Sequence, residues 1–251
     1  MSQSQIKELK DKVATGCRIL FSVDLLRFNG HVTARVPGQD AFLYGFNRHT
    51  FGKTKPEDIL MVDLDGNKLS GKHRTGVELP IYTNMFKSRK DVNAVIHCHL
   101  PFAITFGVTR KEILQVSGSN VGTENVAVLD DASLIANDQM GRKMVKAIGK
   151  GSILQLRGHG QVLVGKSVEE AVFKVIDFEH NARMNYIIQQ FASGKIDPIK
   201  RKIGMDEAYK MHSRRIGATR PLGVSPRWTW YAKVADEVLS GKRDPELSLT
   251  V

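Results

Sequence analysis

Apolar residues near the start of the chain recur every three or four positions, the spacing of one buried helix face. They predict an amphipathic helix over residues 4–27, with lysine and aspartate on its other face. The apolar positions are Ile6, Leu9, Val13, Cys17, Leu20, Val23 and Leu26. Asn29 and Gly30 follow directly and are expected to end the helix, because both residue types accept turn conformations.

Alternating apolar and polar residues then predict an antiparallel meander. Residues 31–37 and 41–45 have this pattern, with a Pro-Gly turn between them. Residues 59–63 and 68–70 are expected to pair around Asp65-Gly66, a sequence that favours a tight hairpin turn. The meander therefore supplies four short strands.

Two helix starts have the pattern of a capping box, in which a Ser or Thr is followed three residues later by Glu. The first extends from Thr75 to Glu78 and predicts a helix from there to about Ser88, and the second begins at Ser167 and predicts a long helix to about Phe191. The other predicted elements are strands over 92–99, 153–156 and 161–164 and helices over 101–107, 205–215 and 228–238. Helices that enclose an antiparallel sheet predict an α/β or α+β layered domain.

The 251 residues are 41% hydrophobic and 25% charged, as in an ordinary globular protein with a substantial core. We expect one domain over residues 1–225, with residues 226–251 as its C-terminal helix and tail. No window approaches the roughly 18 consecutive apolar residues of a membrane span, and the first residues lack a basic and then apolar signal. With only two cysteines, a reducing compartment is expected, so we predict a cytoplasmic protein with no membrane partner.

The formal net charge of +11 raises the question of a nucleic-acid partner. The basic excess is uneven, because residues 195–220 contain eight lysines and arginines against three acidic residues. No helix-turn-helix, zinc-finger or ribonucleoprotein motif accompanies this segment. We therefore expect a small anionic substrate and no nucleic acid.

Two histidines, His97 and His99, lie two positions apart at the end of an apolar run. Side chains two positions apart on a strand point to the same face, so both imidazoles can bind one metal ion while Cys98 points into the core. A third histidine, His159, lies between two glycines, which allow the backbone to approach other groups closely. Because an H-x-H pair also occurs by chance, ordinary core or surface roles are the alternative.

Glu78, His97, His99 and His159, in this order and spacing, resemble the class II aldolase/adducin family, which includes fuculose-phosphate aldolase and ribulose-phosphate epimerase. The resemblance extends from the first helix to about residue 190. Three further segments carry it: Asn29-Gly30-His31-Val32-Thr33-Ala34-Arg35, Asp58-Ile59-Leu60-Met61-Val62-Asp63-Leu64-Asp65-Gly66 and Gly158-His159-Gly160.

The resemblance implies a three-layer α/β/α fold with a mainly antiparallel central sheet, in a homotetramer with its active site near a subunit interface. It also implies one divalent metal ion per subunit, held by His97, His99 and His159. Three neutral imidazoles suit zinc, manganese or iron and leave positions open for substrate. Glu78 is implied as a general acid/base or a fourth ligand, and completing the capping box is its alternative role.

Departures from the family's sugar-phosphate aldolases point to a different substrate. This chain has His31 where those enzymes bind phosphate with an asparagine, and Gly76-Val77 where they have a serine pair. It also has no tyrosine between Tyr82 and Tyr186 to act as their proton donor. Family branches with histidine in the first loop include decarboxylases of hydroxylated aromatic carboxylates.

The leading hypothesis is therefore a metal-dependent lyase for a small non-phosphorylated hydroxy- or oxo-carboxylate, with decarboxylation preferred to aldol cleavage. Glu78 and His31 are the expected catalytic residues, and Asn29, Arg35 and Gly76 are expected to bind substrate, although Arg35 also fits a structural role. Two alternatives remain open. The same three histidines can carry iron(II) in an oxygenase, or the chain can be a non-catalytic module like the adducin head.

Overall fold

The computed structural model describes residues 2–46, 51–116, 126–191 and 226–244, and within them six α-helices and eight strands. The helices α1 to α6 are, in chain order, Gln3–Ser22, Pro80–Ser88, Pro101–Thr109, Asp138–Ile148, Val168–Phe191 and Pro226–Leu239. The strands β1 to β8 are His31–Arg35, Ala41–Gly45, Leu60–Asp63, Lys68–Ser70, Ala94–Cys98, Ala127–Leu129, Ile153–Leu156 and Gly160–Gly165. Two short 3-10 turns, Phe51–Lys53 and Pro56–Asp58, precede β3.

The strands form one sheet in the order β4-β3-β2-β1-β5-β8-β7-β6. Every neighbouring pair is antiparallel except β6 and β7, which are parallel. The central register places His31 of β1 opposite His97 of β5, and Cys98 of β5 opposite Gln161 of β8. The sheet thus places three strands side by side: β1, which begins at His31, β5, which carries the H-x-H pair at its end, and β8, which follows His159.

Helices cover both faces of this sheet. On one face, the Arg35 guanidinium of β1 donates to the carbonyl of Phe86 in α2, and α4 packs against α2. On the other face, Gly16 of α1 packs against Val32 of β1 and Val172 of α5. The predicted three-layer α/β/α fold with a mainly antiparallel sheet is confirmed.

The first helix is shorter than predicted, because it ends at Ser22 and not near residue 27. Asp24 has a left-handed backbone with φ of 59°, and its carboxylate pairs with Arg27. The N–H groups of Leu25 and Leu26 both donate to the carbonyl of Leu20, which closes the helix. Leu26 is nevertheless buried, so the apolar spacing correctly indicates a buried position although the residue lies after the end of the helix.

The predicted capping box at Thr75 and Glu78 is wrong. Helix α2 begins at Pro80, its N-cap residue Leu79 makes no side-chain cap, and proline is tolerated at this first position. The Glu78 carboxylate points instead to a group of histidines. The second box is partly formed, since Ser167 Oγ accepts the N–H of Glu170.

Strand β6 and helix α4 were not predicted from the sequence, whereas helix α6 at the C-terminus was. Gly141 lets α4 approach α2, since a Cβ there would lie 2.3 Å from Nδ2 of Asn84. Helix α6 packs against α1.

The basic segment 195–220 and the predicted helix over 205–215 lie outside the described residues. In the described part of the chain no helix is long and apolar enough to cross a membrane.

Candidate metal centre

Three histidines converge at one edge of the central strands. His97 and His99 come from the end of β5, and His159 comes from the turn between β7 and β8. One ring nitrogen from each residue lies within 4.8 Å of the others. His97 is fully buried, whereas the other two are partly exposed, so the cluster opens to solvent on one side.

Glycines make this convergence possible. A Cβ at Gly160 would lie 2.6 Å from the carbonyl oxygen of Cys98 and 2.8 Å from Cδ2 of His99. Gly30 has φ of 130° and brings its backbone equally close to β5, where a Cβ would lie 2.9 Å from the carbonyl oxygen of His97. Larger residues at either position would push the strands that carry the histidines apart.

The protein backbone orients two of the imidazoles. Nδ1 of His97 donates to the carbonyl oxygen of Gln161 at 2.8 Å, which leaves Nε2 for another partner. The ring of His99 is hydrogen-bonded to the backbone of Asn29. In metal-binding histidines, the ring nitrogen that does not bind the metal is usually held by a hydrogen bond, which sets the tautomer and the ring orientation.

Burial keeps two of these histidines in the neutral form. Burial, together with the electrostatic effect of His97 and His159, lowers the pKa of His99 to about 4. Burial likewise lowers the pKa of His159, with a contribution from His97. A neutral imidazole presents the lone pair that a metal ion requires.

Glu78 completes the cluster. Its Oε2 lies 3.3 Å from Nε2 of His97, and its Oε1 lies 3.5 Å from Nε2 of His159. Burial raises the pKa of this carboxyl group, but its contact with His97 and the electrostatic effect of His97, His159 and His31 outweigh that increase and lower the pKa to about 2. Glu78 is therefore a buried carboxylate at neutral pH.

These residues fit a divalent cation. Nε2 of His97, Nδ1 of His159 and Oε1 of Glu78 are buried and have no hydrogen-bond partner within the described part of the chain. Buried polar atoms without partners are rare in native proteins and call for an unseen partner. Three imidazoles beside one carboxylate form a donor set that zinc, manganese and iron all accept.

His31 lies next to this cluster, 6.2 Å from His97 between ring centroids. His31 is 4% exposed, and its ring centroid lies 5.1 Å from that of Tyr44, on which it stacks, and 4.6 Å from that of Phe46. Gly76 closes over it, because a Cβ there would lie 3.1 Å from Nε2 of His31 and 2.8 Å from the hydroxyl oxygen of Tyr44. The structure thus brings two more of the predicted residues, His31 and Gly76, to the site.

The aromatic residues around His31 were missed in the sequence. Tyr44 and Phe46 belong to β2 and the residue after it, and Tyr82 of α2 contacts the His31 ring edge-on at 5.5 Å. Alternation in β2 shows only that Tyr44 and Phe46 share a face. The strand register that pairs Thr33 with Tyr44 brings them to His31, and the sequence does not specify that register.

Arg35 does not join the site, although it was expected to bind substrate. It lies at the far end of β1 from His31, and its guanidinium donates to the carbonyl oxygens of Phe86, Arg89 and Val92 at 2.7 to 3.0 Å. We therefore assign Arg35 a structural role, in which it ties β1 to the end of α2. Asn29 lies exposed beside the cluster and reaches it through its backbone contact with His99.

Comparison with known proteins identifies the family. The family described as "Class II Aldolase and Adducin N-terminal domain" matches residues 11–186. A 3,4-dihydroxyphthalate decarboxylase from Arthrobacter keyseri is 30% identical over 185 residues, which cover 68% of this chain and 74% of that protein. An L-fuculose phosphate aldolase from Methanococcus maripaludis is 29% identical over 138 residues, which cover 55% of this chain and 74% of that protein.

A solved structure agrees in fold. An aldolase II superfamily protein from Pseudomonas syringae superimposes with a TM-score of 0.75 at 20% identity, covering 96% of this chain and 95% of that one. The chain belongs to the class II aldolase/adducin family. Decarboxylases and aldolases are both lyases, and the matches identify this chain as a lyase as well.

Proposed function

We propose that this protein is a divalent-metal-dependent decarboxylase of a small, non-phosphorylated hydroxyaromatic carboxylate. The observation that carries the proposal is the open cluster of His97, His99 and His159 with Glu78 and His31 beside it. The decarboxylase from Arthrobacter keyseri, named for a dihydroxylated aromatic dicarboxylate, supports this substrate class.

The three histidines would hold the metal ion, which when bound supplies Lewis acidity to the substrate's oxygen atoms. Glu78 is ionised at neutral pH and lies against His97 and His159, so it can accept the proton of a substrate hydroxyl whose acidity a bound metal ion would raise. With a pKa of about 2, Glu78 does not carry the proton that must be added to the substrate carbon at neutral pH.

His31 is suited to supply the proton that replaces carbon dioxide. In the proposed reaction the bond between the ring carbon and the carboxylate breaks, and its electron pair stays on the ring carbon. Carbon dioxide leaves, and His31, once it has taken up a proton, donates that proton to the ring carbon. Histidine is the side chain that most readily exchanges a proton near neutral pH, and the enclosed position of His31 keeps water away from it.

The surroundings of Gly76 favour a substrate without phosphate. The N–H of Gly76 donates to the hydroxyl oxygen of Tyr44 at 3.2 Å, so this backbone donor is already engaged. The next residue, Val77, is apolar and exposed. No hydroxyl group is therefore contributed by residues 76 and 77 to bind a phosphate.

We also propose that the chain assembles as a homotetramer with this site near a subunit interface. Three large apolar residues next to site residues are more than half exposed: Phe28 beside Asn29, Val77 beside Glu78, and Leu134 beside Ser133, whose backbone contacts His159. Burial of such residues between subunits would remove apolar surface from water at the rim of the site. Light scattering is expected to give the mass of a tetramer.

The decisive experiment is an anaerobic assay with the protein loaded with manganese, zinc or iron(II). A panel of hydroxyaromatic carboxylates, including 3,4-dihydroxyphthalate, is supplied, and release of carbon dioxide is measured against product. We expect release without oxygen, its loss in excess chelator, and its return when metal is added back. Turnover only with oxygen would indicate the oxygenase instead, and the absence of both metal and turnover would indicate an adducin-like module.

A further inference from the structure

Two buried glutamines lie directly behind the candidate metal centre, on the opposite face of the sheet. Gln161 of β8 is fully buried and Gln155 of β7 is 2% exposed. Gln161 pairs with Cys98 on one side and with Gln155 on the other, so these three side chains share a face. His97, which precedes Cys98, points to the other face, where the histidine cluster lies.

Gln161 contacts the H-x-H strand through two different groups. Its backbone carbonyl oxygen accepts the Nδ1–H of His97 at 2.8 Å. Its side-chain Oε1 accepts the N–H of Leu100, the residue directly after His99, at 2.9 Å. One residue therefore fixes both the ring of His97 and the backbone that carries His99.

Gln155 and the N–H of Leu100 together fix the direction of the Gln161 amide. Nε2 of Gln155 donates to the carbonyl oxygen of Ala103 at 2.8 Å, and its Oε1 accepts Nε2 of Gln161 at 3.2 Å. Because the carbonyl oxygen of Ala103 can only accept, all three hydrogen bonds are donated in one direction, from Leu100 through Gln161 and Gln155 to Ala103. Gly107 makes room for this arrangement, since a Cβ there would lie 2.2 Å from Nε2 of Gln155.

We propose that Gln161 is a positioning residue, which orders His97 and His99 for metal binding before the metal ion arrives. This inference rests on the metal-dependent function proposed above. Groups that hold the second nitrogen or the backbone of a metal-binding histidine typically change metal affinity about 10- to 100-fold when they are lost. A buried amide pair that served only the packing of the sheet would have no such effect.

The substitution Gln161→Met tests this role. It keeps the side-chain volume and the backbone carbonyl but leaves the N–H of Leu100 without its acceptor. We expect the dissociation constant for Zn²⁺, measured by competition with a chromophoric chelator, to rise about 10-fold or more. The absorption spectrum of the Co²⁺-loaded variant is expected to change as well, because it reports ligand geometry.

Gln155→Met is the matched control. It breaks two hydrogen bonds of the same network, but it leaves Oε1 of Gln161 opposite Leu100. We expect a comparable fall in Tm with a Zn²⁺ dissociation constant within about threefold of the unaltered protein, since only the contact next to His99 affects the ligands. Gln161→Glu, which retains an oxygen opposite Leu100, is expected to restore most of the affinity.

Equal losses of Zn²⁺ affinity in Gln161→Met and Gln155→Met would overturn the proposal, as would an unchanged affinity in Gln161→Met. If Gln161→Met does not fold, nitrogen-15 NMR of the unaltered apoprotein gives an independent test. We expect the Nδ1–H tautomer of His97, and an Nε2–H tautomer would contradict the inference. Failure of the unaltered protein to bind Zn²⁺ would contradict the proposed function itself, which separates the two outcomes.

Discussion

At the scale of single residues, small side chains decide how closely the candidate ligands can approach one another. Gly160 lies between the backbone of Cys98 and the rings of His97 and His99, and Gly76 lies against His31 and Tyr44. Neither glycine has a left-handed backbone, so the lack of space for a Cβ, and not the backbone conformation, explains why glycine occupies each position. Substitution at each position should therefore affect a different function of the site.

We expect Gly160→Ala to weaken metal binding. The added Cβ would meet the carbonyl oxygen of Cys98 at 2.6 Å, and relieving this contact should cost about 1–3 kcal/mol and shift the histidines. Metal affinity is expected to fall at least about 10-fold, measured by chelator competition. Gly149→Ala is the control, because its φ of 54° strains the backbone while its Cβ meets nothing within 4 Å. Equal metal affinity in both variants would contradict this account.

Gly76→Ala is expected to lower turnover and to spare the metal. Its Cβ would press on Nε2 of His31 and on the Tyr44 hydroxyl, whereas none of the three candidate ligands is among the atoms it would meet. We expect kcat to fall about 10-fold or more, because general acid catalysis by a misplaced group is lost. Metal content by elemental analysis should remain that of the unaltered protein. A variant with full kcat would remove His31 from the proposed mechanism.

The identity of the candidate ligands was predictable, and the pocket around them was not. Residue type, order and the two-residue spacing of His97 and His99 are visible in the sequence. The position of Tyr44 against His31 depends on the register of β1 and β2, and the direction of Glu78 depends on its attraction to histidines 19 and 81 positions later. Tertiary contacts of this kind override a local capping pattern.

At the scale of elements, side-chain bonds to the backbone fix how helices meet the sheet. Arg35 bonds three carbonyl oxygens near the end of α2, and Glu179 of α5 accepts the N–H groups of Phe102 and Ala103 at the start of α3. Most predicted strands and helices were found, since their apolar spacing is strong. The predicted helix ends were less accurate. Helix α1 ends before the left-handed Asp24, and α2 begins at Pro80, and neither boundary follows from apolar spacing.

Arg35→Met is expected to destabilise the fold and to leave the chemistry intact. The change removes the donor from three carbonyl oxygens, which should lower the free energy of unfolding by about 2–4 kcal/mol. Urea denaturation measures this loss. Metal content and the KM for substrate, measured where the variant is folded, should match those of the unaltered protein. A rise in KM without loss of stability would return Arg35 to the substrate site.

Asp131 is expected to contribute stability that is lost in acid. Its carboxylate accepts Nζ of Lys143 at 2.7 Å and the N–H of Ser133 at 3.0 Å. The hydrogen bond from Lys143 and those from Ser133 hold the pKa of Asp131 well below its usual value. Because the folded pKa is the lower one, the contribution is complete above the unfolded pKa of about 4 and disappears as the pH falls below it.

Urea unfolding between pH 2 and pH 7 tests this contribution. Asp131→Asn should be less stable than the unaltered protein at pH 7, and the difference should shrink as the pH falls below about 4. Asp11→Asn, on the exposed side of α1, is the control and should show no such trend. A constant difference at every pH would mean that the ionised carboxylate of Asp131 does not stabilise the fold.

At the scale of the whole molecule, the layered fold brings residues from distant parts of the chain to one edge of the sheet. His31 lies at the start of β1, Glu78 in the turn before α2, the H-x-H pair at the end of β5 and His159 in the turn before β8. The fold class was predictable from the alternation of strands and helices together with the family motifs.

The most direct test of the account is the metal content of the purified protein and three variants, measured by elemental analysis. We predict about one divalent ion per chain in the unaltered protein and in His180→Ala, a histidine of α5 outside the cluster. His97→Ala and His159→Ala should each retain little metal, because each loses one of three protein ligands. A protein without bound metal, or equal metal in His159→Ala and the unaltered protein, would contradict the account.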